Sequence, residues 1–471
     1  MVTREEADKI LKEKFGIEIE KDIKYQYLEL ISGKEKKWAE ATELLVKYIL
    51  KRLNIYTTKD DLKTEMWVYK NGIYIPHGKS EVKELLREIL GEQYSNFVFN
   101  SVIAKIEPDT FIRNEDFFSI KNKKEIIVKN GILNIINLEL GPFDPKKIFF
   151  NKMPIKFDIS KKCPKIEKFL KEVLPYKEDI NSFLELVGFS LLKEYKFEKG
   201  FMFIGSGRNG KGKTISLLKR LNGVENCCSI PLASLTPESF SIAELFGKNL
   251  NLAGDIGNQD LKDTSMFKSL TGRDLVGGKR KFLRELYFEN YAKFVFACNE
   301  PPMVYDLTRG FWDRWILFEF PFTFVIDEEY KNAKDKNKLK IRDEDILNKI
   351  TTEDEMSGFL NKALEGLNRL LKNKKFSSTK GCEEIKSAWI RRSNSFIAFC
   401  YDNIEGSDDN EISKKDLRKK YSKYCKNHKV TPKSDYVIKR VLQDTYGVQD
   451  ERKSTIGKND EWFWVGIKWK M

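Results

Sequence analysis

Short apolar runs in the middle of the chain alternate with polar turns and amphipathic segments. The run Phe201 to Ile204 predicts a buried strand, and a helix is expected from about Thr214, after a glycine-rich turn. The apolar positions of that helix are Ile215, Leu217, Leu218 and Leu221. The runs Lys248 to Gly257 and Tyr291 to Glu300 predict two further strands. Strands that alternate with helices in this way predict an α/β core.

The segment before this core has a mixed helical and β pattern. Residues 1–65 are highly charged and predict helices. From Met66, the run MWVYKNGIYIPHG predicts a β-hairpin with Asn71 and Gly72 as its turn. A further β-rich run and two amphipathic helices follow before the first core strand. We therefore expect an α+β domain ahead of the core.

The segment from about Ser393 has a pattern of its own. Three amphipathic helices are followed by an aromatic strand, EWFWVGIKWK. This order is typical of a winged-helix domain, whose third helix would offer Lys439 and Arg440 to DNA. A purely structural helical cap is the alternative interpretation.

Composition narrows the function classes. The 471 residues include 85 Lys and Arg against 71 Asp and Glu, a formal charge of +14, which favours a polyanionic partner. A Lys- and Glu-rich composition, as in proteins of thermophiles, would explain the high density of charged residues, but it explains the excess of positive charge less well. Seven cysteines without a C-x-x-C pair and two histidines support neither a zinc site nor a disulfide framework. The N-terminus does not resemble a signal peptide, and no apolar run approaches membrane-spanning length.

The segment from Gly205 to Thr214, called the glycine loop below, carries the strongest chemical signal. Its glycines let the backbone turn sharply so that N–H groups face a phosphate, and the following helix directs its positive end to the same place. The loop therefore predicts binding of a nucleoside triphosphate, ATP, together with Mg²⁺. The expected ligand-binding residues are Gly205, Gly207, Arg208, Asn209, Gly210, Lys211, Gly212, Lys213 and Thr214.

Two registers of the glycine loop are possible. The sequence from Gly207 to Thr214 matches G-x-x-x-x-G-K-[ST] by letter, which makes Lys213 the phosphate ligand and Thr214 a metal ligand. A register that starts at Gly205, directly after the strand, selects Lys211 instead and puts Gly212 where a hydroxyl group usually contacts the metal. We favour Lys211 because of the strand spacing, with Thr214 or a water completing the magnesium shell.

Polar residues end or follow the next two predicted strands. Asp255 ends the first, where a carboxylate can order Mg²⁺ and the attacking water, and Asn299 ends the second, where an amide can orient that water. Arg314 follows and is a candidate arginine finger for the site of a neighbouring subunit. Asp255 lacks an adjacent glutamate, so either it performs both metal and base roles or Glu300 assists it.

A basic segment lies between these two strands. Gly277 and Gly278 precede Lys279, Arg280 and Lys281, which suggests a basic loop or hairpin tip placed to contact a phosphodiester backbone. An ordinary solvated basic turn explains the charge equally well.

Together these residues resemble the superfamily 3 helicases, specifically the helicase part of primase-helicases of the poxvirus, phage and plasmid type. The motifs that carry the resemblance are VKNGILNI, CPKIEKFL, GSGRNGKG, NLAGDIGNQDLKDTSMFKSLTGRDLVGGKRKF, FVFACNEPP and FWDRWILFEFP. The resemblance implies an AAA+-like P-loop ATPase core that assembles into a ring, usually a hexamer, and translocates on single-stranded DNA. It assigns Lys211 to the phosphate loop, Asp255 to the second motif, Asn299 to the sensor, Arg314 to the finger, and Lys279 and Lys281 to the DNA-contacting hairpin.

The expected domains follow from the pattern and the resemblance. They are a helical segment (1–65), an α+β domain (66–195), the ATPase core (196–330), a helical connector (331–392) and a winged-helix-like domain (393–471). The segment before Met66 is too short for a primase fold, so a separate primase or polymerase is expected as a partner. A cytoplasmic location, in a prokaryotic host or a virus-infected cell, is expected.

Three functions remain open on the sequence. The first is a DNA helicase that replicates a virus, plasmid or integrated element and acts on single-stranded and forked DNA. The second is an initiator or loader in which ATP acts only as an assembly switch. The third is a ring ATPase that remodels protein, which the basic segments disfavour.

Overall fold

The chain divides into two compact units, which are described separately. Unit 1 comprises residues 1–127 and 140–152, and unit 2 comprises residues 128–139 and 153–471. The computed structural model describes residues 23–32, 34–59, 64–119, 121–254, 260–281, 285–304, 306, 308–428, 432–453 and 461–470. The five domains expected from the sequence stay a prediction.

Unit 1 combines helices with a small sheet. Its helices are α1 (Ile23–Ser32), α2 (Trp38–Arg52), α3 (Gly78–Leu90), α4 (Asn96–Asp109) and α5 (Asn114–Phe118). Its sheet has the strands β1 (Ile55–Thr58), β2 (Met66–Lys70), β3 (Ile73–Ile75) and β4 (Phe111–Ile112) in the order β3-β2-β1-β4. Three short strands, β5 (Glu125–Val128), β6 (Gly131–Asn134) and β7 (Leu140–Gly141), lie where the division between the units falls.

The predicted hairpin of unit 1 is confirmed. Strands β2 and β3 pair antiparallel, and the two turn residues between them, Asn71 (φ 50°) and Gly72 (φ 103°), have positive φ. Such turns match the twist of the flanking strands and favour Asn-Gly. An apolar core formed by residues of α2, α3, α4 and β2, with Tyr27 from α1, lies against this sheet.

The first part of unit 2 is an α/β fold, as the sequence predicts. Its helices are α6 (Pro164–Val173), α7 (Lys177–Leu191), α8 (Lys211–Asn222), α9 (Ser265–Gly272), α10 (Arg309–Trp312), α11 (Asp327–Asn332), α12 (Ile346–Ile350), α13 (Glu353–Asn373) and α14 (Cys382–Ser393). Its strands are β8 (Gly200–Ile204), β9 (Cys227–Cys228), β10 (Leu250–Ala253), β11 (Leu275–Gly278), β12 (Leu286–Glu289), β13 (Lys293–Cys298), β14 (Trp315–Glu319), β15 (Thr323–Val325) and β16 (Leu339–Ile341).

The centre of unit 2 is a five-stranded sheet in the order β14-β8-β13-β10-β9. All four neighbouring strand pairs are parallel. Every residue of β8, β10 and β13 is buried, including Asn251 and Lys293, so these strands appear in the sequence as mainly apolar runs instead of alternating ones. Because the strands are parallel, the residues that follow β8 and β13 meet at one edge of the sheet.

Helix α13 packs directly on α7. A Cβ atom on Gly188 would lie 2.6 Å from the backbone nitrogen of Leu367, and one on Gly366 would lie 2.6 Å from the carbonyl carbon of Leu184. Glycine is therefore required at both positions for the two backbones to approach this closely. Residues 353–373, expected to be part of a connector, are part of the same compact unit as the parallel sheet.

The last part of unit 2 contains the three expected helices: α15 (Ser395–Asn403), α16 (Lys414–His428) and α17 (Asp435–Tyr446). Strands β17 (Ile404–Ser413), β18 (Gln449–Lys453) and β19 (Glu461–Trp469) form an antiparallel sheet in the order β17-β19-β18. The residue pattern predicted only the strands after the third helix. Strand β17 was missed because its residues are mostly exposed and acidic, without apolar alternation.

Candidate functional site

The glycine loop connects β8 to α8 at the carboxyl edge of the sheet. Gly205 follows Ile204 directly, and a Cβ atom there would lie 2.7 Å from the carbonyl oxygen of Phe320. Gly210 has φ 89°, and a Cβ atom there would lie 2.6 Å from Cγ1 of Val173. Glycine is needed at both positions to let the chain turn within a crowded edge. The loop begins where the strand ends, as the register that selects Lys211 expects.

Lys211 is the first residue of α8, three positions before the predicted start at Thr214. Its side chain is buried, and its Nζ atom donates hydrogen bonds to the carbonyl oxygen of Gly205 and, at 3.0 Å, to Oδ1 of Asn299. The loop thus folds around the ammonium group of Lys211. Lys213 is half-buried and also lines the cavity at the loop.

Thr214 is not among the residues that line the cavity at the glycine loop. Thr214 is fully buried, and its Oγ1 donates to the carbonyl oxygen of Gly210 at 3.0 Å, one helical turn earlier. The expectation that Thr214 or a water completes the magnesium shell stays a prediction, and the burial of Thr214 favours the water. Gly212 is exposed, and within the described part of the chain no heavy atom lies within 4 Å of a Cβ atom built on it.

Two other loop residues hold the loop against neighbouring segments. Arg208 has a positive φ of 45°, its guanidinium group pairs with Glu329 at 2.9 Å, and its carbonyl oxygen accepts from the backbone of Phe324 at 2.6 Å. Asn209 is buried, and its side-chain oxygen, assigned from the surrounding donors, accepts from the backbone nitrogen of Ser206 at 3.2 Å. Both contacts shape the loop, whereas Gly207 (φ 96°) faces open space.

The expected carboxylate Asp255 lies outside the described residues. The last described residue before it, Gly254, follows β10 and lines the same cavity as the glycine loop. Strand β10 pairs in parallel with β13, the strand that Asn299 follows.

A cavity of about 1060 Å³ opens beside the glycine loop. One end is lined by the loop and Asn299, and the other by α6, β16 and α12. The apolar lining residues at that second end are Phe169, Ile341, Ile346, Leu347 and Ile350, and charged residues of the same elements line it too. A polar, N–H-rich end next to apolar and charged side chains suits a ligand with phosphates at one end and a flat heterocycle at the other.

Arg314 lies at the opposite edge of the sheet from the glycine loop. It precedes β14, and its carbonyl oxygen accepts from the backbone of Gly200, the first residue of β8, at 2.7 Å. Its guanidinium group pairs with Glu198 at 3.1 Å and donates to Oγ1 of Thr271 at 3.0 Å. The length of β8, roughly 15 Å at 3.3 Å per residue, separates Arg314 from Lys211.

The basic segment follows a strand of a β-hairpin. Strands β11 and β12 pair antiparallel, and Lys279 to Lys281 come directly after β11; residues 282–284 lie outside the described part. Gly277 and Gly278 are strand residues instead of tip residues, and a Cβ atom on Gly278 would lie 2.8 Å from Cα of Ala243. Lys279 forms an ion pair with Glu238.

The two cations expected on the third helix of the C-terminal segment both have acidic partners. Lys439 lies 3.3 Å from Asp450 on β18. Arg440 lies 3.7 Å from Asp260 and 3.5 Å from Asp444. The side chain of Arg440 is therefore directed towards Asp260, whereas that of Lys439 is directed towards strand β18.

Several polar and charged residues of unit 2 had not been predicted from the sequence. Glu198 and Thr271 hold Arg314, and Asp306 accepts hydrogen bonds from Lys268 at 2.9 Å and from the backbone of Thr308 at 2.9 Å. Burial raises the pKa of the Asp306 carboxyl group, but hydrogen bonds from Thr264, Thr308 and Lys268 outweigh it and hold that pKa well below its ordinary value. Another missed carboxylate, Glu319, ends strand β14, and the strand-end rule that found Asn299 would have found it.

Comparison with known proteins gives matches to both units. A family described as "D5 N terminal like" matches residues 8–175, and a family of unknown function, DUF5906, matches residues 203–314. A protein of Acanthamoeba polyphaga mimivirus named "Putative helicase" is 26% identical over 271 residues, which cover 55% of this chain and 28% of that protein. A Sputnik virophage protein, also named "Putative helicase", is 25% identical over 272 residues, 53% of this chain and 33% of that protein.

The chain therefore spans about a third of the curated relatives that it matches. Among solved structures, the apo C-terminal region of NrS-1 is 16% identical, with 90% of this chain and 98% of that chain covered and a TM-score of 0.44. In the described residues, no helix combines the length and apolarity needed to cross a bilayer.

The class of protein follows from the family match and the two viral relatives. They support the resemblance stated from the sequence motifs: this chain is similar to superfamily 3-type proteins of the primase-helicase group.

Proposed function

We propose that this protein is an ATP-dependent DNA helicase, which forms a ring and translocates on single-stranded DNA during replication of a virus, plasmid or integrated element. The observation that carries the proposal is the 3.0 Å hydrogen bond from Nζ of Lys211, in the glycine loop, to Oδ1 of Asn299, which follows the neighbouring strand β13. A buried cation and a strand-end amide at one sheet edge, beside a cavity of about 1060 Å³, suit the triphosphate of a nucleotide.

In this proposal, the backbone N–H groups of the glycine loop bind the β-phosphate. Lys211 leaves the carbonyl oxygen of Gly205 and neutralises charge between the β- and γ-phosphates. Asn299 orients the attacking water, and Asp255, which follows β10 in the sequence, is the proposed carboxylate ligand of Mg²⁺, with waters in place of a hydroxyl ligand. Mg²⁺, when bound, neutralises charge on the phosphates.

The ring is supported by the position of Arg314. A guanidinium group at the far edge of the sheet is roughly a strand length from the glycine loop of its own chain. It can act as a finger only in a neighbouring subunit, which suits a heterologous interface that closes into a ring, such as a hexamer. Glu198 and Thr271 then act as positioning residues for Arg314.

Contact with DNA is proposed for two places. Lys279, Arg280 and Lys281 on the β11–β12 hairpin would line a central channel and contact phosphates. The C-terminal residues 393–471, with the order helix, strand, helix, helix, strand, strand, are proposed to be a winged-helix-like domain. Lys439 is the better DNA ligand of its third helix, because Arg440 is directed towards Asp260.

A second candidate is an ATP-switched initiator or loader that binds DNA without processive unwinding. The burial of the Thr214 hydroxyl group and the glycine at position 212 favour it, because a metal shell without a protein hydroxyl ligand suits slow hydrolysis.

One experiment separates these functions. ATP hydrolysis is measured with and without single-stranded DNA, and unwinding of a forked duplex is measured in parallel. A helicase hydrolyses ATP faster with single-stranded DNA and separates the fork. An initiator binds ATP and DNA and leaves the fork intact, and a protein without either activity contradicts both proposals.

A further inference from the structure

Helix α16 carries a row of lysines on the side that faces away from the protein core. Its core-facing residues, Leu417, Tyr421 and Cys425, are buried and recur every four positions. A second set begins two positions earlier with nearly the same spacing, and two positions correspond to a turn of about 200° around a helix. This set, called the lysine row below, is exposed and consists of Lys415, Lys419, Lys423 and Lys426.

The charge of the lysine row is not compensated by the chain itself. Other cations of α16 have acidic partners: Lys414 lies 2.9 Å from Asp450, and Arg418 forms an ion pair with Asp435. In the part of the chain that the structure describes, no member of the lysine row forms an ion pair. Asp416 is the single acidic residue of the helix. The outer face of α16 therefore presents an uncompensated positive charge.

The spacing of the lysine row fits a polyanion. Neighbouring members lie three or four positions apart, so roughly 5–6 Å separate their Cβ atoms, and like charges at this spacing destabilise a helix. From Lys415 to Lys426 the row covers roughly 16 Å of the helix axis, at 1.5 Å per residue. Duplex DNA presents one negative charge per about 1.7 Å of its axis, so several phosphates lie within this length. A phosphodiester backbone would relieve the repulsion along the row.

The third helix of the C-terminal segment, α17, is less suited to this ligand, although the third helix is the one that ordinarily enters the groove of DNA in such domains. Asp450 lies 3.3 Å from Lys439, and Asp444 lies 3.5 Å from Arg440. A carboxylate beside each cation repels a phosphate, and each ion pair has to be broken before the cation can bind one. The lysine row binds a phosphate without such an exchange.

We propose that α16 binds the phosphodiester backbone of duplex DNA through the lysine row, independently of base sequence. The inference rests on the proposed contact between the C-terminal segment and DNA, and it names the helix and the form of DNA. A duplex is favoured over a single strand because proteins that bind single strands combine cations with exposed aromatic rings. The tyrosines of α16 are not exposed, since Tyr421 is buried and Tyr424 is half-buried. At a fork, the lysine row holds the duplex arm, and the β11–β12 hairpin contacts the single strand.

The test measures DNA binding by the full chain without nucleotide, at several salt concentrations. The probes are two blunt-ended duplexes of unrelated sequence and a single strand of the same length. Replacement of Lys415, Lys419 and Lys423 with Gln, which is neutral and favours helix, should weaken both duplexes by about tenfold or more at 0.1 M salt. The slope of log affinity against log salt should flatten by about 0.9 per lost phosphate contact. Binding of the single strand should change much less.

Two further variants serve as controls. Replacement of Lys372, Lys374 and Lys375 at the end of α13 with Gln removes the same charge and should leave duplex binding nearly unchanged. Replacement of the three lysines of the row with Arg keeps the charge and should retain duplex affinity. The midpoint of thermal unfolding should not fall in the Gln variant of the row, because repulsion along α16 is removed.

Four outcomes overturn the inference. Unchanged duplex affinity and salt slope in the Gln variant of the row would make this face merely solvated, and the same loss in the α13 control would indicate a general effect of charge. An equal loss for the single strand would contradict the choice of a duplex. Unchanged DNA binding with an altered oligomeric state in sedimentation would identify a second copy of this chain as the partner.

A comparison with α17 completes the test. Lys439→Ala should weaken duplex binding less than the Gln variant of the row does, and a larger loss would return the contact to the third helix. Failure of the proposed helicase function is recognised separately. A wild type that neither hydrolyses ATP nor unwinds a fork contradicts that function, whereas duplex binding through the lysine row needs neither activity.

Discussion

The Nζ atom of Lys211 lies 3.0 Å from Oδ1 of Asn299, and the same ammonium group is bonded to the carbonyl oxygen of Gly205. Two residues that are 88 positions apart in the chain are joined because β8 and β13 are neighbouring parallel strands. The glycine loop holds the ammonium group of Lys211 in a position where it can exchange these hydrogen bonds for bonds to a phosphate. This contact gives the proposed ATPase site its geometry.

Replacement of Lys211 separates the two registers of the loop. Lys211→Ala should abolish ATP hydrolysis, because the β- and γ-phosphates lose their fixed cation. Lys213→Ala, the matched control in the same helical turn, should retain substantial activity. Steady-state hydrolysis rates of the two variants decide the matter, and the opposite ranking would establish the register that starts at Gly207.

Two glycines of the loop should respond in opposite directions to alanine. Gly210→Ala should lower the free energy of unfolding by about 1–3 kcal/mol, because alanine is strained at φ 89° and its Cβ atom meets Val173 at 2.6 Å. Gly212→Ala, in the first turn of α8 with open space around it, should raise that free energy by roughly 0.5–1 kcal/mol. Urea unfolding measures both, and equal effects would contradict the loop geometry.

Arg314 should act only across a subunit boundary. Arg314→Ala should bind nucleotide and lose on the order of 10³-fold in turnover. A mixture of Arg314→Ala and Lys211→Ala subunits should recover activity, because about a quarter of the interfaces in a randomly mixed ring pair an intact lysine with an intact arginine. Hydrolysis at full rate by a strictly monomeric preparation would rule out the ring.

The basic residues of the β11–β12 hairpin should account for the binding of single-stranded DNA. Replacement of Lys279, Arg280 and Lys281 with alanine should weaken single-stranded DNA binding nearly independently of base sequence, and it should flatten the salt dependence by about 0.7 per lost phosphate contact. Unwinding should fall much further than DNA-independent ATP hydrolysis.

A charge-matched control exists at the end of α13, where Lys372, Lys374 and Lys375 are exposed. Their replacement removes the same charge and should leave binding nearly unchanged. If loss of the segment from Ser393 dominates binding while the hairpin variant binds normally, the initiator function is favoured.

The buried Lys293 should make stability depend on pH. Its Nζ atom donates to the carbonyl oxygens of Leu192 and Tyr291, both at 2.6 Å, and burial holds its pKa well below the ordinary value. Between that lowered pKa and about 10.4, the unfolded chain binds the extra proton, so stability contributed by this group rises with pH and is lost as pH falls. Urea unfolding between pH 7 and 9 should show a steeper pH dependence for the wild type than for Lys293→Met, by at most about 1.4 kcal/mol per pH unit. Parallel curves would refute the assignment.

Local chemistry made much of this molecule predictable. The Asn71-Gly72 hairpin, the buried strands of the sheet and the turn at Gly205 follow from backbone preferences and from apolar runs, which depend on a few neighbouring residues. The start of α8 was predicted at Thr214 instead of Lys211. Glycine has a low helix propensity, so the glycines around this start gave no helical signal.

The partners of the polar side chains, in contrast, depend on the tertiary structure. The order of residues in the chain shows that a lysine follows a glycine loop and that an asparagine follows a strand. Their 3.0 Å contact, the burial of Thr214, the pairing of Arg314 with Glu198 and that of Arg392 with Glu319 depend on strand order. Hydrogen bonds and ion pairs act over a few ångströms, so they are fixed by which strands are neighbours, and residues far apart in the chain carry no local signal of that order.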